Sequence, residues 1–463
     1  MKNLVINNTD ELFELFNELE IDNNFYDLKI KNAYVWKIIR AAVYEMLQNK
    51  VFKTNSIDNF EKIDLSKNRI SAFLNKTLII FKHNAFKNKK QCRNIVIKHQ
   101  RRIKSEGKLI EVNTAFLKGI IKDIDDNTEF LDINVDNTNT KIDDDFSIMC
   151  PTAFDTIFEL IKPSNRLKIK KITEYINECI KKDLDINIDV KNILTLEYVR
   201  YATYYRLAKK YFELKKPERI YIVVAYCFPG IVQAAKDLGI EVIELQHGFI
   251  THLSPGYSFP NIKNVPHFPD KLFVYGDFWK NVASYPIDRN NIVAIGNPYY
   301  ERQIKKFNDI KKENNSLLFI STEKFGKKLS KIAYAFAKDN PNYKIYYKLH
   351  PHEFGKWQSM YPEIDDKPDN FIVLESEINL YELFARSEYL VSVASTAIYE
   401  SMYFKPKIIL CNHPELERMK ELTDIYKLPI IDNENELIDL INNNNYWIEI
   451  DRNDFYKEIE GLI

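Results

Sequence analysis

The sequence predicts an α/β chain with two Rossmann-like domains and an N-terminal helical extension. Between residues 219 and 410, short apolar runs alternate with helical stretches of about ten residues, the rhythm of βαβ units and a parallel sheet. A charged stretch at 301–315 divides this series into two, which predicts a linker. At 463 residues the chain is also too long for one ordinary core.

Residues 9–50 read as two helices. Thr9 or Asp10 can cap the first, and Leu12, Phe13, Leu15, Phe16 and Leu19 form its apolar side. The second carries Ala33, Val35, Trp36, Ile38, Ile39, Ala42, Val43 and Leu47. Between Asp64 and Glu106 lie twelve Lys or Arg and no acid, threaded with Ile70, Phe73, Leu74, Leu78 and Phe81. A basic amphipathic helix of this kind suits an anionic membrane surface, so the segment 67–104 is a candidate peripheral contact with the inner membrane. The alternative is a solvated helix paired with the acidic segment 123–145, which holds nine Asp or Glu.

The first domain is expected over 61–300. Its strands are Asn94–Lys98, 219–225, 240–245, 271–275 and 291–295, with helices at 193–215 and 229–238. The second, over 301–433, has strands at 316–321, 343–349, 371–374, 388–393 and 407–410, with helices at 327–338, 379–386 and 396–404. The tail, 434–463, reads as helical and is expected to pack back on the first domain. Two parallel sheets of this kind are expected to face a cleft, with ligands outside the carboxyl ends of the strands.

Candidate residues therefore sit just after strands. His247, in Gln246-His247-Gly248, can take a proton from an acceptor hydroxyl, and Gly248 permits a tight turn. His350, in Lys348-Leu349-His350-Pro351, can bond a phosphate oxygen, with Pro351 stiffening its backbone and His352 expected to be exposed. Ser395 and Thr396 stand at a strand-to-helix junction suited to anions, and Glu400 one turn on can reach ribose hydroxyls. Asn297, in Gly296-Asn297-Pro298, lines the donor site or makes a turn. Ser321 and Thr322 can reach the donor, and Glu323 competes with His247 as base. His99, Arg101 and Arg102 follow the first strand and can hold an anionic acceptor.

Other chemistries lack their motifs. There is no G-x-x-x-x-G-K-[ST], G-x-G-x-x-G, H-E-x-x-H or G-x-S-x-G pattern. Asp-x-Asp pairs occur at Asp123–Asp125 and Asp143–Asp145, within a polar acidic stretch read as solvated loop without an apolar strand, so no metal is expected. Lys plus Arg (66) equals Asp plus Glu (66), which gives no pull toward nucleic acid. Five scattered cysteines, an acidic start and the lack of a long apolar run fit a cytoplasmic chain.

Taken together, LQHG at 245–248, GNP at 296–298, KLHP at 348–351 and SVASTAIYESM at 392–402 resemble the GT-B glycosyltransferases of bacterial capsule, lipopolysaccharide and teichoic-acid synthesis. Their order is similar to that in enzymes using CMP-activated acidic sugars (sialic acid, its relatives, or Kdo) and in polymerases using CDP-glycerol or CDP-ribitol. The resemblance covers 219–410 well and the first 200 residues poorly. It implies that His350, Ser395 and Thr396 contact the phosphate of a cytidine nucleotide. The sequence departs from the first group in lacking an acidic pair before glycine, and from the second in having Gln246 and Phe249 around its His-Gly. The resulting expectation is an inverting, metal-independent transferase. Its substrates would be a cytidine nucleotide-sugar donor and a glycan or lipid-linked glycan acceptor, with no further cofactor. The alternatives are polyol-phosphate transfer, a nucleotide-sugar 2-epimerase, which shares the strand-end GNP, and a non-catalytic scaffold.

Overall fold

The computed structural model describes residues 6–52, 79–80, 82–99, 102–105, 108–114, 116–118, 120–133, 147–160, 163–322, 325–443 and 450–459. The chain forms two compact units. The first comprises Met1–Tyr275, Trp279–Ile295 and Ile459–Ile463, and the second Gly276–Phe278 and Gly296–Glu458.

The first unit begins with the helix Thr9–Asp22, opened by Asn8, whose side chain accepts from the Glu11 N–H. Leu12, Phe13, Phe16 and Leu19 fall on one face and are buried. A small antiparallel pair, β1 (Lys29–Ile30) and β2 (Ala33–Tyr34), leads into the helix Val35–Phe52. These helices share one apolar core with the helices Pro163–Leu184 and Lys191–Lys215. The strands of this unit are β3 (Asn94–Ile97), β4 (Arg102–Ser105), β5 (Lys108–Glu111), β6 (Thr128–Asp132), β7 (Ser147–Ile148), β8 (Arg219–Val223), β9 (Glu241–Leu245), β10 (Lys271–Val274) and β11 (Ile292–Ala294). All but the antiparallel pairs β4–β5 and β1–β2 join one parallel sheet, ordered β11-β10-β9-β8-β3-β6-β7. Chain order reverses between β3 and β8, which makes that the switch point.

The second unit is a parallel sheet ordered β14-β13-β12-β15-β16-β17. Its strands are β12 (Glu313–Ile320), β13 (Lys344–Lys348), β14 (Phe371–Leu374), β15 (Ser387–Ser392), β16 (Lys407–Cys411) and β17 (Ile430–Ile431). The switch point lies between β12 and β15, where Ser392 Oγ donates to the Ile320 carbonyl at 3.1 Å.

Three expectations change. The stretch 301–315 is no linker: Asn297 caps the helix Pro298–Phe307, and β12 already begins at Glu313. Its charges occupy the outer side of a helix that buries Tyr300, Ile304 and Phe307. The acidic segment 123–145 is not all loop, because Thr128–Asp132 pairs between β3 and β7. Its acids are matched: Glu129 by Lys215 and by the Tyr211 hydroxyl at 2.6 Å, and Asp132 by Arg102 at 2.6 Å. The tail through Glu458 belongs to the second unit. Helix Glu434–Asn442 inserts Leu437 and Ile441 into the core beneath helix Gly326–Asp339, and Phe455 packs on Phe278 and Tyr399.

The basic segment 67–104 falls largely outside the described residues. Where it is described, Arg93 pairs with Glu218 at 3.1 Å, and Lys98 and Arg102 both reach Asp132. Among the described residues no helix is long and apolar enough to cross a membrane.

The helical layer holds a fully buried ion pair. Arg40 Nε donates to Glu20 Oε2 at 2.7 Å, and Nη2 donates to Glu20 Oε1 at 2.8 Å and Asn17 Oδ1 at 2.7 Å. Nη1 donates to the carbonyls of Pro255 and, at 3.1 Å, Ser258. Trp36 Nε1 adds a 2.6 Å bond to Glu20 Oε2. Arg40→Ala should lower stability by about 3–5 kcal/mol, because it strands a buried carboxylate; urea denaturation measures this. His267, buried against Tyr34 and Tyr201, has its pKa pushed down to about 3 by burial and by the charges of Lys37 and Lys236. It stays neutral when folded, whereas the unfolded chain protonates it below about 6.5. Its contribution to stability is therefore complete above that pH and declines by up to ~1.4 kcal/mol per pH unit on acidification. His267→Asn, which tolerates the left-handed backbone there (φ 63°), should remove this component from a urea-midpoint-against-pH series.

Candidate functional site

In the first unit, β9 lies between β8 and β10, so residues near its carboxyl end are buried unless a turn lifts them out. Gln246 makes that turn. Its amide donates to the Gly248 carbonyl at 2.8 Å, and its Oε1 accepts from the Tyr275 N–H at 2.8 Å. His247 is thereby left half-buried at the strand end. Gly248 does not use a glycine-only conformation, and a side chain there would meet open space.

His99, which follows β3, has its ring centroid 6.0 Å from that of His247. The two histidines predicted as acceptor contact and base thus come together beside the switch point. Arg102 does not join them as a spare cation, since its guanidinium neutralises Asp132. Arg101 and Glu323 lie outside the described residues.

Behind His247 runs a chain of polar groups. Its Nδ1 is 3.4 Å from the Tyr257 hydroxyl, which donates to Glu244 Oε1 at 2.6 Å. The Ala225 N–H donates to the same oxygen at 3.0 Å. Burial raises the Glu244 carboxyl to about 7, against the hydrogen bonds from Tyr257 and Ala225 and the charge of Lys37. Lys37, from the helical layer, is itself lowered to about 7 by burial and by Arg40, and its ammonium lies 4.3 Å over the Phe259 ring. Glu244 and Tyr257 are absent from the sequence-based candidates. The signal for Glu244 was a second acid within an otherwise apolar strand, IEVIEL, which a strand flanked on both sides must bury. Nothing local marks Tyr257, which reaches the site from a loop thirteen residues on.

In the second unit the ends of β13, β12 and β15 lie side by side. His350 caps the short turn Pro351–Glu353: its Nδ1 accepts from the His352 N–H at 3.3 Å. The buried Glu353 carboxylate accepts the His350 N–H at 2.6 Å, the Ser321 hydroxyl at 2.8 Å and the Tyr361 hydroxyl. Pro351 and His352 are exposed. Ser321 is thus committed to the core beneath the site, with the Tyr347 hydroxyl donating to it at 3.2 Å. Gly326 is required here by close approach, because a Cβ would collide with Tyr361 and Ser321. Thr322 Oγ1 is buried with no hydrogen-bond partner among the described residues.

Across the switch point, Ser395 caps the helix Thr396–Ser401, its Oγ accepting from the Ala397 N–H at 3.2 Å, and Thr396 is the first helical residue. The Glu400 carboxylate accepts from the Tyr381 hydroxyl, and its carbonyl accepts from the Tyr300 hydroxyl at 2.8 Å. Asn297 spends its side-chain oxygen on the N–H groups of Tyr299 and Tyr300, both at 3.1 Å, which makes GNP a helix start. Asp123, of the first Asp-x-Asp pair, is bonded to Arg219 at 2.9 Å, and Asp143–Asp145 lies outside the described residues.

No family model matches the chain, and no curated protein sequence matches it. Among solved structures it is similar to the UDP-GlcNAc 2-epimerase from Methanocaldococcus jannaschii, at 14% identity and a TM-score of 0.44, over 79% of this chain and 97% of that one. It is also similar to a putative UDP-N-acetylglucosamine 2-epimerase from Listeria monocytogenes (13%, TM-score 0.44, 79% and 91%). A third is the glycotransferase of kitacinnamycin (11%, TM-score 0.41, 61% and 86%). Likeness at this depth does not extend to a reaction.

The second-unit network separates support from capping. Glu353→Ala orphans three donors and should cost more than about 2 kcal/mol, whereas Ser395→Ala should cost about 1 kcal/mol as a lost cap. Urea denaturation of both variants measures the difference.

Proposed function

We propose that the chain is a glycosyltransferase that moves a sugar from a nucleotide donor to a glycan hydroxyl. One observation carries this reading: each sheet sets a histidine at a strand end beside its switch point, and the two have opposite hydrogen-bonding needs. His350 uses Nδ1 as an acceptor from the His352 N–H, so its Nε2 carries the proton and can donate to a phosphate oxygen. His247 stands against a phenol and a second imidazole, an environment suited to taking a proton.

In the reaction, the acceptor oxygen bonds to the anomeric carbon as its proton passes to His247. The bond from that carbon to the phosphate oxygen breaks, its electron pair stays on the phosphate, and His350 stabilises the charge. A single displacement of this kind inverts the anomeric centre. Thr322, Ser395 and Thr396 flank the second switch point and would contact the nucleotide; Glu400 would serve its ribose only by exchanging the Tyr381 hydroxyl for one of the sugar's. The resemblance of KLHP and SVASTAIYESM to the cytidine-using enzymes supports a CMP-activated acidic ulosonic sugar as donor. It equally supports action on a surface polysaccharide, glycan or lipid-linked, at the inner face of the cytoplasmic membrane. No divalent cation is needed in this scheme, so transfer should survive EDTA.

A thermal-shift series with CMP, CDP, UDP, UMP and GDP tests the donor. CMP at about a hundredfold over Kd should raise the melting temperature by about 2–4 °C, and His350→Ala should abolish the rise. A preference for CDP would instead favour polyol-phosphate transfer, and stabilisation by UDP alone would favour a 2-epimerase or a UDP-sugar transferase. No response to any nucleotide would overturn the nucleotide-sugar reading.

A further inference from the structure

We propose that Tyr257 and Glu244 are positioning residues that fix His247 in its Nδ1–H tautomer and leave Nε2 as the basic nitrogen. The catalytic consequence rests on the transferase reading above, whereas the tautomer itself does not.

The direction of the proton chain follows from counting donors. Glu244 Oε1 receives two hydrogen bonds, from the Ala225 N–H at 3.0 Å and from the Tyr257 hydroxyl at 2.6 Å. With Glu244 ionised, as at the pH of the test below, Oε1 can only accept, because a carboxylate oxygen carries no hydrogen. Tyr257 has one hydroxyl proton, and its short bond to Oε1 uses it. Toward His247 the phenol oxygen then offers only lone pairs. The neighbouring Nδ1, 3.4 Å away, must therefore bring the hydrogen. A neutral imidazole holds one proton, so Nε2 keeps its lone pair.

The arrangement is held rigidly. Glu244 and Tyr257 are both buried, and Tyr257 stands edge-on to the Tyr226 ring at 5.4 Å. The loop that carries Tyr257 is fixed on either side by Arg40, through the carbonyls of Pro255 and Ser258. The charged and titratable groups around the chain are Lys37, Tyr226 and Cys227 near Glu244, and His99 near His247. None of them supplies a competing acceptor to the Tyr257 hydroxyl in the structure.

Nitrogen-15 NMR of the full chain with labelled histidine tests this at about pH 8, where an ordinary imidazole is neutral. The His247 signals are identified by their loss in His247→Gln. In the wild type, Nδ1 should be the protonated nitrogen and Nε2 the unprotonated one. Tyr257→Phe, which keeps the ring and removes the oxygen, should shift the tautomer ratio toward Nε2–H by roughly tenfold, the size of one ordinary hydrogen bond. Glu244→Gln retains an acceptor oxygen for Ala225 and Tyr257 and should keep the Nδ1–H form. A wild-type His247 protonated at Nε2 would overturn the proposal without recourse to any variant. So would an unchanged ratio in a folded Tyr257→Phe protein. An Nδ1–H tautomer in a protein that no nucleotide stabilises would uphold the positioning and defeat only the transferase reading.

Discussion

The arrangement of the first unit depends on the buried guanidinium of Arg40. Removing two charges from water costs several kcal/mol per ion, and the attraction between them repays it only when the remaining donors are also satisfied. Here each of the three guanidinium nitrogens donates, and three of the acceptors lie outside Glu20: the Asn17 amide and two carbonyls of the loop at 255–258. The pair therefore spends its hydrogen bonds on geometry. One helix supplies Glu20, the next supplies Arg40 and Trp36, and the loop docked on them carries Tyr257. An apolar replacement of similar volume can match the stability of such a pair, but it has no donors with which to aim a loop. Through this contact the N-terminal helices, remote in sequence from the strand ends, determine the surroundings of His247.

The second unit achieves a comparable result by a different route. Glu353 is one residue beyond His352 in the same tight turn, and its carboxylate gathers the His350 N–H with hydroxyls from Ser321 and Tyr361. Ser321 follows β12 and His350 follows β13, so one buried acid links the ends of adjacent strands. In the first unit the buried acid lies within the strand and works through a phenol; in the second it lies in the turn and works through the backbone. Either way, the imidazole's Nδ1 is engaged by a local partner. The partner decides the role: a phenol oxygen demands a proton from Nδ1, whereas a backbone N–H supplies one to it.

Much of this was legible in the chain. Every strand predicted from apolar runs between 219 and 410 is present, because parallel strands are buried on both faces and write their position as uninterrupted Val, Ile, Leu and Tyr. The strand-end histidines followed from the same rule. What remained hidden depended on partners distant in sequence. β6 reads as an acidic loop until Lys215 and Arg102 are placed against Glu129 and Asp132. The charged residues at 301–315 looked like a spacer because a one-sided helix and a strand's exposed first turn share the composition of a linker. Asn297 and Ser321 stand where donor contacts were expected, yet each side-chain oxygen is committed, one to a helix start and one to Glu353. Residue type and strand position identify which side chains reach the edge of a sheet. Whether a polar atom is left to meet a ligand is settled by the donor count around it.

That count also explains how a site can tolerate a buried carboxyl and a buried amine whose proton affinities both fall near 7. Charged Lys37 beside ionised Glu244 and neutral Lys37 beside protonated Glu244 carry the same net charge. Moving one proton between them therefore leaves the field of the pair at longer range little changed. The ionised carboxylate accepts the Tyr257 hydroxyl through Oε1, the oxygen that also accepts the Ala225 N–H. With Glu244 ionised the polarity of the chain runs outward from the carboxylate: Oε1 accepts, the Tyr257 hydroxyl donates to it, and the phenol oxygen faces His247 Nδ1 with its lone pairs.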